Sequence, residues 1–390
     1  MATFLPGTRP YQSTGTTALR NAAIASQNPT HDPITPTSVL PATVDQELAN
    51  APARAARAAL RYTLVLLLLP LLAVPLFIAL GRSDFFLNHG ASVWVRSNDA
   101  VFGMHDRPCD VLIFGDSTAM TGINPDVVER NTGLRTCNIS VTNAVLAVTD
   151  NLTLNQYLQH NPQPRVLLVQ LSPDSFQPEN HAWRRTIYAE GLLELLRHGN
   201  RQEARRTLLQ HPHEAIAFAG YAAGFSAFYG IKDVWFHLTH IRPEEDLITV
   251  HNGFFTPPAP PRTSCDPAVT AAPDSTRANY PRTLVDMYRT EYAARSGLVL
   301  VNVAPIPACD QNLAAYISQL DGVTSNNLLP LPIGLFNDGR HYTAVGSNIV
   351  SSLVSEELNQ VTSQSSTPAR PRNTPPTSVA RLRRVAFRHR

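Results

Sequence analysis

The chain has 390 residues, is 43% hydrophobic and carries a formal net charge of +2, enough apolar material for one large packed domain or two ordinary ones, so a wholly disordered chain is excluded. The near-neutral total hides an uneven distribution: six Arg against three acids over residues 1–82, nineteen basic groups against twenty-seven acids over 83–362, and seven Arg with no acid over 363–390. An acidic domain between basic ends argues against nucleic acid as its main ligand, because phosphate binding needs clustered basic side chains.

Residues 1–58 are rich in Thr, Pro, Ala, Asn and Gln without a sustained apolar period, the composition of a disordered arm. Tyr62 to Leu80 then runs for nineteen residues without a charge, which at about 1.5 Å per residue roughly spans a hydrocarbon core. Pro70 and Pro75 are tolerable in a membrane helix. A cleaved signal peptide or a buried core helix are the alternatives; the long leading arm and the length of the run favour an uncleaved anchor over residues 59–82. Arg54, Arg57 and Arg61 precede the span, and only Arg82 and Asp84 follow it closely. The positive-inside bias therefore places the amino end in the cytoplasm, with residues 83–362 outside, in a bacterium the periplasm.

All four cysteines, Cys109, Cys137, Cys265 and Cys309, follow the span. They fit an oxidising compartment, and Cys109 and Cys137 can be bridged if their strands are neighbours; free buried thiols remain the alternative. No pair has zinc-finger spacing, so no metal site is expected.

Within the domain, Val111 to Phe114 is a short apolar run bounded by Asp110 and Gly115, the pattern of a strand buried on both faces. Gly115 permits an unusual backbone at the turn that follows. Asn124, Pro125 and Asp126 then supply a cap, an N1 proline and a first-turn acid for a helix over 124–131 ending near Gly133. Further strands are expected at 134–140, 165–171 and 298–304. A helical insertion is expected over 179–260, with helices at 188–196, 203–209 and 215–228, and Trp183, Tyr188 and Trp235 in it could stack on sugars. Residues 256–273 are Pro-rich and irregular, and 276–295 reads as a helix. After Thr343, which can act as a cap, Val345, Ile349, Val350, Leu353, Val354 and Leu358 share one helical face. The tail 363–390 is Pro-, Ser-, Thr- and Arg-rich and expected to be disordered. Alternation of strand and helix predicts an α/β fold with a parallel sheet between helices.

Two stretches carry the chemistry. Ser117 sits at the carboxyl end of the first strand, where open α/β sheets place ligands. His341, three residues after Asp338, can accept its proton while the carboxylate holds the imidazole, with Gly339 freeing the backbone between them. Gly115-Asp116-Ser117 and Asp338-x-x-His341 resemble the first and last blocks of the SGNH, or GDSL-type, hydrolase superfamily, over roughly residues 108–360.

That resemblance implies a flavodoxin-like three-layer α/β sandwich and acyl transfer from an ester to water or another hydroxyl, without metal or other cofactor. Ser117 would be the nucleophile, His341 the base and Asp338 its orienter, with Asp116 structural. The family's oxyanion donors are the serine N–H, a glycine after the second strand and an asparagine after the third. Here Asn143 stands in the glycine's place and Ser172-Pro173-Asp174 in that of Gly-x-Asn-Asp, leaving Ser117 and Asn143 as the oxyanion candidates. With its anchor, the chain looks like proteins that assist O-acetylation of exopolysaccharides such as alginate or cellulose. The partners so implied are a polysaccharide substrate, an integral-membrane acyltransferase and a polysaccharide synthase. The alternative is an inactive scaffold of the same fold that binds glycan in such a complex.

Overall fold

In the computed structural model the apolar run after Asp110 is strand β1 (Val111–Gly115), central and fully buried. The structure describes residues 55–69, 72, 75–76, 79, 83, 93–149, 151–177, 191, 194–199, 201–210, 235, 238–239, 250–257, 259–265, 270 and 272–365. Beside β1 lie β2 (Thr136–Asn138) and β3 (Val166–Leu171), and β4 (Leu298–Val303) pairs with β3. The four strands run in the order β2-β1-β3-β4, every pairing parallel. A short second sheet joins β5 (Ile306–Pro307) to β6 (Pro330–Leu331).

Helices link the strands. They are α1 (Val93–Phe102), α2 (Ser117–Gly122), α3 (Pro125–Thr132), α4 (Asn143–Thr149), α5 (Leu152–His160), α6 (Arg201–Gln210), α7 (Tyr280–Tyr292), α8 (Leu313–Leu320) and α9 (Ala344–Ser365). Successive strand side chains point to opposite faces, and here they enter two different cores. Leu112, Phe114, Leu167, Val169, Val301 and Val303 pack with Tyr157 of α5, Tyr288 and Tyr292 of α7 and Tyr316 of α8. Val111, Ile113, Val166, Leu168 and Leu300 pack with Val128 of α3 and Val350, Val354 and Leu358 of α9. Each such side chain contributes about 1.5–3 kcal/mol by leaving water. The expected parallel sheet between helices is thus present, and its strand order puts a switch in connection direction beside β1, the position whose carboxyl end open α/β sheets use for ligands.

Local signals read from the sequence reappear as bonds. Asn124 caps α3 through Asp126 N–H, Pro125 is at the first helical position, and Gly133 ends the helix with φ +70°. Thr343 Oγ1 accepts from Gly346 N–H at the start of α9. The apolar face expected for α9 needs correction: Val350, Val354 and Leu358 are buried, whereas Val345 is 62% exposed and Ile349 and Leu353 are each 37% exposed. The buried apolar stripe is narrower because α9 packs on the sheet along one line, while the buried Ser351 and Ser355 face the end of α2 and helix α3, Ser351 Oγ accepting from Asn124 N–H and Ser355 Oγ from Asn131 Nδ2. The second strand is shorter than expected, three residues rather than seven.

The cysteines form two disulfides, Cys109–Cys137 and Cys265–Cys309, and none is free. The first clamps β1 to β2, whose registers place Leu112 beside Cys137. With sequence separations of 28 and 44, the chain-entropy stabilisation is about 3–4 kcal/mol each. In the expected insertion, α6 and a helical turn at 194–198 are described, and Trp235 is 62% exposed. Trp183, Tyr188 and the expected helix over 215–228 lie outside the described residues, as do the arm 1–54 and most of the tail.

The chain divides into two units, Met1–Val65 and Leu66–Arg390. A helix covers residues 55–69 with Leu60, Tyr62 and Leu64 to Leu69 exposed. Among the described residues no helix is long and apolar enough to cross a membrane; residues 70, 71, 73, 74, 77, 78 and 80 of the expected span are outside them.

Candidate active site

Ser117 is the first residue of α2, directly after the turn that leaves β1. Gly115 is required there for a reason other than the one the sequence suggests. Its φ is not positive; rather, a Cβ at this position would stand 1.8 Å from the carbonyl oxygen of Gln170 on β3. Only glycine admits that approach. Asp116 is 1% exposed and accepts four hydrogen bonds: Oδ1 from Thr118 N–H (2.9 Å) and Thr118 Oγ1 (2.6 Å), Oδ2 from Ser172 N–H (2.7 Å) and Ser175 Oγ (2.7 Å). A buried carboxylate needs such partners. It ties the serine turn to the segment after β3 and faces no reacting group, in keeping with a structural role.

The candidate base, His341, comes from the loop before α9. An isolated bridge between Phe336 and Tyr342, and the bond from Asn337 N–H to His341 O (2.8 Å), close this loop at its neck. Gly339 within it has φ +88°, a conformation glycine supplies without strain. His341 Nε2 lies 2.9 Å from Ser117 Oγ, and its Nδ1 lies 2.6 Å from Asp338 Oδ2. A carboxylate can only accept, so Nδ1 carries the proton and Nε2 is left to accept from the serine hydroxyl. Asp338 Oδ1 also accepts N–H bonds from Arg340 (2.9 Å) and His341 (2.8 Å). Burial works against its ionisation, but the bonds and charge of His341 and these N–H groups outweigh it and hold the carboxyl well below the usual range. Trp94 of α1 packs against the imidazole with ring centroids 4.8 Å apart, and Phe255 backs the indole edge-on at 4.8 Å. His341 is only 8% exposed.

The opposite side of Ser117 is sparer. The Ser117 N–H makes no hydrogen bond to any described residue. After β2 the chain continues along β1, with Val141 N–H bonded to Gly115 O at 3.1 Å, and Asn143 opens α4 two residues later. Asn143 is exposed, and no hydrogen bond joins its side chain to the Ser117, His341 and Asp338 group. Ser172 N–H and Ser175 Oγ are taken by Asp116, while Asp174 forms an ion pair with Arg340 (2.6 Å) and accepts from Tyr316 Oη (3.1 Å).

Thus Ser117, His341 and Asp338 are brought into one chain of bonds, and Asn143 is placed at the same end of the sheet without joining it. Trp94, Phe255 and the Asp174–Arg340 pair were not anticipated. Arg340 lies between Asp338 and His341 in sequence, but nothing in the sequence tells which acid it meets. Elsewhere, the only group of three metal-type donors among the described residues is Asp99, Glu194 and His198. Asp99 Oδ1 already receives Arg197 Nη2 (2.9 Å) and faces His198 Nε2 (2.7 Å), so a cation there would have to displace a guanidinium.

No family model, curated protein or solved structure matches the chain.

Proposed function

We propose that this chain is an SGNH-type serine esterase or O-acyltransferase with the flavodoxin-like sandwich of that superfamily. In this reading it is held at the inner membrane by a single span, with its catalytic domain in the periplasm, and acts on the acyl groups of a bacterial exopolysaccharide of cellulose or alginate type. The observation that carries the reading is the continuous bond chain from Ser117 Oγ through His341 to Asp338 at the carboxyl end of β1. The two disulfides support the oxidising compartment.

The chemistry follows from the atoms in place. Ser117 Oγ attacks the acyl carbonyl as His341 Nε2 takes its proton, and Asp338 stabilises the imidazolium. The carbonyl oxygen gains negative charge and meets the unbonded Ser117 N–H, with Asn143 as second donor. The tetrahedral adduct collapses, His341 returns the proton to the departing alkoxide, and an acyl-Ser117 ester remains. Water, or a polymer hydroxyl, then gives its proton to His341 and takes the acyl group, and the departing Ser117 Oγ recovers a proton from His341. An integral-membrane acyltransferase and a polysaccharide synthase are the partners such a reaction implies.

The test uses the full-length chain in detergent with an activated acetyl ester. Product release should be lost in Ser117→Ala; equal activity in that variant overturns the nucleophile assignment. A scaffold that binds glycan without catalysis is the second reading, favoured by the diversion of Ser172, Ser175 and Asp174 into structural bonds. Restoration of polymer acylation in a deletion strain by the Ser117→Ala protein would support the scaffold.

A further inference from the structure

Helix α1 precedes β1 and lies outside the strand and helix alternation, yet one face of it reaches both sides of Ser117. Trp94 and Asn98 are four residues apart and so share that face. Trp94 meets the base, as described above. Asn98 is 1% exposed and makes a reciprocal pair with Thr142: its Oδ1 accepts the Thr142 N–H at 2.9 Å and its Nδ2 donates to Thr142 Oγ1 at 3.1 Å. Thr142 directly precedes Asn143, and its carbonyl accepts Leu146 N–H at 2.9 Å as α4 begins.

We propose that Asn98 is a positioning residue for acyl transfer, fixing through Thr142 the backbone that presents Asn143 to the developing oxyanion. The inference rests on the acyl-transfer reading above. Asn143 is exposed and has no side-chain tether to the catalytic group, so its placement depends on the chain that enters it. That chain is held at two successive residues: Val141 N–H on Gly115 O, which fixes its height beside the serine turn, and Thr142 on Asn98, which fixes its direction. Without Asn98 the Thr142 N–H loses its acceptor in a buried setting, a state that the loop relieves by moving. A displacement of about 1 Å at a transition-state donor is enough to cost much of its effect.

An Asp at this position should preserve the device. Elsewhere in the chain Asp116 accepts both the N–H and the Oγ–H of Thr118, and Asp274 does the same for Thr276. A carboxylate at position 98 can hold Thr142 in that way, the threonine hydroxyl turning to donate.

The experiment measures kcat and KM of the full-length chain on an activated acetyl ester for Asn98→Ala, Asn98→Asp, Asn143→Ala and the double variant Asn98→Ala/Asn143→Ala. Asn98→Ala should lower kcat by about tenfold or more with little change in KM, and Asn98→Asp should recover most of it. In the Asn143→Ala background the further loss should be less than about twofold, since the donor that Asn98 positions is already gone. An equal loss from Asn98→Ala in both backgrounds, or an unchanged kcat, overturns the proposal. Should Asn98→Ala not fold, Thr142→Val, which removes one of the two bonds, is read in the same cycle, with the same non-additivity expected and additivity overturning it. Activity surviving in Ser117→Ala would instead remove the acyl-transfer reading itself, an outcome distinct from all of these.

Discussion

The two sides of Ser117 are built on different principles. On the base side, His341 is held at both ring nitrogens, walled by Trp94, and set in a loop whose neck is bridged. On the side proposed for the oxyanion are the Ser117 N–H, unbonded among the described residues, and the exposed Asn143, while Ser172, Ser175 and Asp174 of the segment after β3 are engaged in structure. The base must hold its geometry while gaining and losing a proton. The carboxylate that holds it is therefore local, three residues away in sequence, and the contact is short. Oxyanion donors act only when charge develops, so they must be left without partners in the resting state and rely on the backbone beneath them. In the proposed acyl transfer, robustness on one side and vacancy on the other can serve together, provided the sparse side is rigid.

Breaking the base side should have the largest effect. Asp338→Asn leaves a side chain of the same shape that can donate to Nδ1 and so reverses the tautomer, which makes Nε2 a donor facing a hydroxyl. A loss in kcat of about a thousandfold or more is expected, with KM little changed. A variant within tenfold of the parent would show that the loop alone, without the carboxylate, orients the imidazole. Removing the one side-chain donor on the other side by Asn143→Ala should cost about a hundredfold in kcat. A smaller loss would mean that the Ser117 N–H carries the oxyanion side by itself. Trp94→Ala lies below both, at about tenfold or less, because Asp338 still fixes the ring; Trp94→Phe should retain most of the activity. Steady-state kinetics on the activated acetyl ester reads all three.

The same division marks what the sequence reveals. Asp338 and His341 are three residues apart, so their mutual geometry is local and can be read from spacing and Gly339 alone. Val111 to Phe114 announces a strand because continuous apolar runs have few other uses in an α/β chain. The Cys109–Cys137 bridge was conditional on β1 and β2 being neighbours, a fact of tertiary structure. What sequence does not carry is contact at a distance. Asn98 and Thr142 are 44 residues apart and Asp116 and Ser172 are 56 apart, and no local pattern joins them. The sequence points to glycine at 115 for a turn, whereas the structure needs it for close approach by β3, which leaves no trace in neighbouring residues. For α9, periodicity found the helix but overestimated its buried face, because hydrophobicity alone does not tell how wide a stripe the sheet will cover.

The smallest effect concerns stability and distinguishes the sides by charge. Asp338 titrates below its ordinary value in the folded chain because the bonds it receives favour the carboxylate. A group with a depressed folded value binds its proton more readily when unfolded. Its contribution is then present in full above the unfolded value of about 3.9 and is lost as pH falls from there through the folded value. Thermal midpoints of the parent and Asp338→Asn should differ by a constant amount from about pH 7 to about pH 5, and the gap should narrow in more acid solution. The side chain is 44% exposed, so solvent screening keeps this gap small. Asn143 carries no titrating group, and any shift in midpoint caused by Asn143→Ala should be the same across that range. A gap for Asp338→Asn that stays constant into acid would mean that the carboxylate is held for the geometry of the imidazole and adds nothing to the stability of the fold.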